Sequence, residues 1–112
     1  MESVRKFEFR ECRMPAGFIV DYFSNGETLH GLCIDVSEAG LRAEFDGSVV
    51  IGSSGILILR HPKSILKLEA QVAYVKKCQV GLVFIFQTPW ERGTTNEFIA
   101  MIAKPGTTPR TV

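Results

Sequence analysis

Between residues 18 and 86 apolar and polar side chains alternate with a period of two, the pattern that gives a strand one face for a core and one for water. "FIVDYF" gives way to "SNGET", where Asn25 and Gly26 both tolerate positive φ and predict a tight hairpin turn. The return strand "LHGLCIDVS" is expected to carry Leu32, Ile34 and Val36 on one face and Cys33, Asp35 and Ser37 on the other. After Gly40, "LRAEF" sets Leu41, Ala43 and Phe45 against Arg42 and Glu44. "IGSSG" leads into "ILILR", and "HPKS" is the next reversal, with Pro62 fixing a turn-like φ. "ILKLEAQVAYV" places Leu66, Leu68, Ala70, Val72 and Tyr74 on one side, and "KKCQ" turns the chain into "VGLVFIF". Six short strands at hairpin spacing, with no helix between them, predict an antiparallel barrel or sandwich.

The period changes only near the C-terminus. In "TTNEFIAMIAK", Thr94 stands three residues before Glu97, the capping-box pattern of a helix start. Phe98, Met101 and Ile102 then share one helical face, which is expected to dock on the strands. The break "PAG" at 15–17 and the tail "PGTTPRTV" complete the division. It gives a charged arm over residues 1–14, a β domain with its helix over 15–103, and a flexible tail over 104–112.

Composition narrows what such a domain does. The 112 residues suit a single core, and a formal net charge of +1 lacks the basic excess of a nucleic-acid module, so no DNA or RNA partner is expected. No apolar run approaches the roughly 20 residues that span a bilayer. The N-terminus "MESVRKFEFRECR" has no apolar core of a secretion signal. A cytoplasmic location without membrane insertion follows as the expectation. Cys12, Cys33 and Cys78 form no CxxC pair, and His30 and His61 show no ligand spacing to them, so neither a disulfide framework nor a metal site is predicted. No GxSxG elbow, P-loop or GxGxxG occurs. The chain reads as a binding module, not an enzyme, and no cofactor is expected.

Two stretches remain that can carry chemistry. In "DVSEAG", Asp35 and Ser37 stand two apart, a carboxylate and a hydroxyl suited to the edge of a nucleobase, and Gly40 allows close backbone approach or positive φ. The same residues also suit a Ser or Asx turn at a strand end. Upstream, Arg5, Lys6, Arg10 and Arg13 are mixed with Glu2, Glu8 and Glu11. The arm is either a solvated charge run or a source of guanidinium forks that grip phosphate and guanine.

Together these features resemble a PilZ domain, the bacterial receptor module for cyclic di-GMP. The resemblance rests on the basic arm, on "DVSEAG" as the family's (D/N)xSxxG motif, on the late hairpin "AQVAYVKKCQVGLVF", and on the helix after "TPWERG". It implies a six-stranded antiparallel β-barrel with a C-terminal helix. By position, Asp35 and Ser37 would contact a guanine edge, Gly40 would keep the backbone close, and Arg10 would match the later arginine of the family's RxxxR arm. The earlier arginine is replaced: Lys6 stands four residues before Arg10, with Arg5 one place further out. Phe9 stands four before Arg13. Lysine meets a phosphate as a point charge without the planar fork.

The resemblance therefore implies a cyclic di-GMP effector, a monomer or weak dimer, that relays the second messenger to an unidentified protein partner in motility, biofilm or exopolysaccharide control. The alternative is a degenerate PilZ adaptor that binds protein and not nucleotide, through an apolar patch at Trp90 or on the helix. Alternatively, Trp90 plugs the barrel end. Nucleic-acid binding by a small barrel is the third and weakest reading.

Overall fold

Three two-residue turns organise the strands. Asn25 and Gly26, at φ of 54° and 79°, join β2 (Ile19–Ser24) to β3 (Glu27–Val36), the mirror-image turn geometry that matches strand twist. Pro62 and Lys63 join β5 (Ser54–His61) to β6 (Ser64–Lys76). Lys77, at φ 58°, and Cys78 join β6 to β7 (Gln79–Ile85). The remaining elements are the two-residue β1 (Met14–Pro15), β4 (Gly40–Phe45) and the helix α1 (Pro89–Thr111). This computed structural model describes residues 14–15 and 17–111, with side chains from 17 to 102.

The strands pair in the order β3-β2-β5-β6-β7-β4, and a β3–β4 pairing closes the ring into a six-stranded antiparallel barrel. Closure removes the free edges that an open sheet would expose. Short β1 adds to β3 beyond the end of β2, with Met14 opposite Val36 and Pro15 opposite Asp35. Inward-facing Val20, Tyr22, Leu57, Leu59, Leu68, Val72 and Leu82 fill the barrel. At one end the helix lays Phe98 on this core, edge-on to Phe18 at 6.0 Å and to His61 at 6.3 Å. Ile99, Met101 and Ile102 pack beside it.

Three details depart from the sequence pattern. First, the register of β3 shifts between Cys33 and Asp35. Such a bulge reverses the phase of every side chain beyond it. Leu32 is therefore 47% exposed while Cys33 and Val36 both reach the core, so the expected faces hold only on either side of the bulge. Second, β6 shifts between Val72 and Tyr74, and Tyr74 leaves the core face that the alternation assigned to it. Third, the helix begins before Thr94. Its N-cap is Thr88, whose Oγ1 accepts from the Glu91 N–H at 3.2 Å, and Glu91 Oε1 in turn accepts from the Gln87 N–H at 2.7 Å. "TPWE" is the working cap, with Pro89 at the first helical position where no donor is missed. Trp90 is 82% exposed and plugs nothing. The helical backbone runs to Thr111, across the position where the pattern began a tail.

Candidate functional site

The bulge in β3 determines what Asp35 can do. Beyond it Asp35 leaves the core side and points outward, opposite Arg42 of β4. It is still covered, with a tenth of its side chain exposed. Arg42 lies against it. Its Nε donates to Asp35 Oδ1 at 3.1 Å and Oδ2 at 3.0 Å, and its Nη2 also donates to Oδ2. Nη1 of the same guanidinium donates to Gln79 Oε1 on β7 at 3.3 Å. This is the planar fork that a lysine cannot reproduce.

Ser37 does not extend the strand beside Asp35. It opens the turn into β4: its N–H donates to the Gly40 carbonyl at 2.8 Å, and its Oγ accepts from the Ala39 N–H at 3.3 Å. The hydroxyl is buried in that turn, the local side-chain-to-backbone arrangement expected of serine at a strand end. Gly40 is required by packing. A β-carbon there would lie 2.2 Å from the Leu82 carbonyl oxygen of β7. Its φ is not in the left-handed region, so close approach alone accounts for the glycine.

The pairings carry the site across the outer face of four strands. Asp35 is opposite Arg42, Arg42 opposite Gly81, and Gly81 opposite Tyr74. The Tyr74 ring lies over Gly81, where a β-carbon would come within 2.2 Å of it. An aromatic face, a guanidinium and a carboxylate thus follow one another across the barrel. Arg42, Gln79 and Tyr74 were not picked out by the motif. The outward phase of Arg42 in "LRAEF" was visible, but its pairing with Asp35 depends on the hairpin register.

Arg5, Lys6, Arg10 and Arg13 lie outside the described residues. What is described is where their segment joins the barrel: Met14 and Pro15 pair with Val36 and Asp35, so the arm enters beside the motif.

Other polar groups have separate roles. Asp21 lies on the outer face of β2, where its Oδ1 accepts from His30 Nδ1–H and its Oδ2 from Arg60 Nε–H, both at 2.7 Å. Burial pushes this carboxyl up, but the two hydrogen bonds and the nearby positive charges outweigh it and hold the pKa below the usual value. A shallow depression lined by Tyr22, Leu29, Val49 and Ser53 lies at the β2–β3 turn, the end of those strands away from Asp35. Among the described residues no cluster of three metal-ligating side chains occurs, and no helix is long and apolar enough to cross a membrane.

The family model described as PilZ domain matches residues 4–100. No curated protein matches the chain. Several solved structures share the fold. The PilZ domain of YcgR from Escherichia coli, solved with c-di-GMP, is 12% identical at a TM-score of 0.72, over 89% of this chain and 95% of that one. The PilZ domain of CeSA from a cellulose-synthesizing bacterium is 12% identical at 0.70, over 81% and 97%. The Bacillus subtilis inhibitor of motility, MotI/DgrA, is 20% identical at 0.64, over 80% of this chain and 48% of that one. At such identities the likeness speaks for the fold alone.

Proposed function

The chain belongs to the PilZ domain family, and from that premise we propose that it is a receptor for cyclic di-GMP. Asp35 accepts the donor edge of a guanine, the Ser37 turn holds that part of the wall in place, and Gly40 keeps β4 close to β7. Arg10 grips phosphate and guanine, with Lys6, Arg5 and Arg13 adding positive charge along the ligand. The observation that carries this reading is the pairing of Pro15 with Asp35, which brings the root of the basic arm to the carboxylate. An arm tethered there closes over a ligand seated on the outer face, and its ordering creates a new surface for a protein partner. Two proteins of the same fold agree with this reading: YcgR is solved with c-di-GMP, the proposed ligand, and MotI is an inhibitor of motility, the proposed kind of output.

Isothermal titration with cyclic di-GMP tests the proposal. The intact chain is expected to bind in the micromolar range or tighter, and Arg10→Ala and Asp35→Ala are each expected to weaken binding by at least about tenfold, since each removes a charge-assisted contact. Absence of heat from a folded protein at high ligand concentration would sink the receptor reading.

A second reading is favoured by one observation. Leu32, Ile19, Arg60 and Ile65 lie in a single cross-strand row on the outside of β3, β2, β5 and β6. The three apolar members are exposed. Such a patch suits an adaptor that binds a protein without nucleotide. The same titration separates the two, because the adaptor gives no heat with cyclic di-GMP.

A further inference from the structure

We infer that Arg42 is an internal stand-in for the guanine edge, latched to Asp35 in the ligand-free chain, so that its release sets both the affinity and the base selectivity of the site. The inference rests on the receptor reading above and goes beyond it by naming a competitor built into the barrel.

The argument begins with matching chemistry. The Nε–H and Nη2–H of a guanidinium form a flat edge of two parallel donors, and a carboxylate accepts them in a fork. Guanine offers a carboxylate the same kind of edge, through its ring N1–H and its 2-amino group. Adenine does not, because its ring N1 is an acceptor. Arg42 holds Asp35 by that two-donor edge, and only a tenth of the Asp35 side chain is left exposed. A guanine therefore reaches the carboxylate oxygens by displacing the guanidinium.

Displacement is feasible because Arg42 lies partly in solvent and its guanidinium already has a second acceptor. Its side chain is 32% exposed, and Nη1 is already bonded to Gln79 on β7. Beyond Gly81, the next residue in the row, lies the Tyr74 ring, an aromatic face of the kind a guanidinium stacks on. The exchange swaps one charge-assisted pair for another, so the cost of opening the latch comes directly out of the ligand's affinity.

The test compares the intact chain with Arg42→Ala and Arg42→Lys, titrated with cyclic di-GMP and with cyclic di-AMP at physiological ionic strength. Arg42→Ala is expected to bind cyclic di-GMP about tenfold more tightly, the effect of removing one partly exposed competing pair. Loss of the positive charge works the other way and is only partly screened at this salt. Arg42→Lys keeps that charge without the fork and is expected to fall between the two, which also carries the test if the alanine variant folds poorly. Cyclic di-AMP is expected to gain nothing from either change. If the intact chain binds and both variants bind equally or more weakly, Arg42 is a scaffold for Asp35; the latch is then wrong and the receptor reading stands. Equal gains for the adenine ligand also overturn it. If none of the three proteins binds, the receptor reading fails and takes the latch with it.

Discussion

At Gly40 one missing β-carbon decides how closely two strands meet. The motif glycine stands against the Leu82 carbonyl, a backbone atom that cannot swing aside. Gly40→Ala must therefore part β4 from β7, and is expected to cost on the order of 1–3 kcal/mol. Denaturant unfolding of the variant without ligand measures this directly. An unchanged midpoint would mean that the glycine serves only the ligand. The Ser37 hydroxyl likewise bonds within its own turn, so its first contribution is to the shape of the wall. Asp35 differs from both. It is an outward carboxylate buried under an arginine, and nothing in strand formation requires it there.

At the scale of elements, the helix depends on its cap and its anchor. Thr88 and Glu91 close the first turn over "TPWE", and Phe98 fastens the helix to the barrel between Phe18 and His61. Thr88→Ala is expected to destabilise the protein by about 1 kcal/mol, the usual worth of an N-cap. Thr94→Ala tests the competing cap suggested by the sequence. The Thr94 hydroxyl donates to the Trp90 carbonyl inside the helix, so its loss is expected to leave the unfolding midpoint nearly unchanged. A larger effect at Thr94 than at Thr88 would reverse the assignment. The capping-box pattern occurs twice, at 88–91 and 94–97, and local sequence does not rank them. Pro89 does favour the first, because a proline suits the opening position of a helix.

Over the whole molecule, His61 ties three parts of the chain together. Its ring meets Phe18 from the N-terminal entry and Phe98 from the helix, while its Nδ1 accepts from the Lys63 N–H at 3.1 Å. Burial pushes its pKa below the ordinary value, and the charge of Lys63 adds to the effect. The unfolded chain then binds the proton more readily than the folded one, so stability rises with pH through that window. Full stability holds above the ordinary histidine pKa of about 6.5 and declines as pH falls from there toward the lower folded pKa. Thermal unfolding followed through this range is expected to show the slope, and His61→Phe, which keeps an aromatic ring in the cluster, is expected to remove it. A slope that survives the substitution would assign it to another group.

The strand order along the chain, the hairpin turns and the apolar faces away from the two bulges were set by local rules. Period two, Asn25-Gly26 and Pro62 act over a few residues, and each acts the same way in any fold that contains them. The position of "DVSEAG" among the strands was likewise legible, as was the basic character of the arm. The alternation left barrel and sandwich open and only the family resemblance pointed to a closed barrel, since closure needs β3 to meet β4 and β4 to meet β7 across long stretches of chain. Not legible were the two bulges, each an extra residue in one strand of a pair, which move Leu32 and Tyr74 out of their expected phase. The Asp35–Arg42 fork follows from the same cause. An alternating pattern says which residues face water, but only the register of paired strands says which of them face each other.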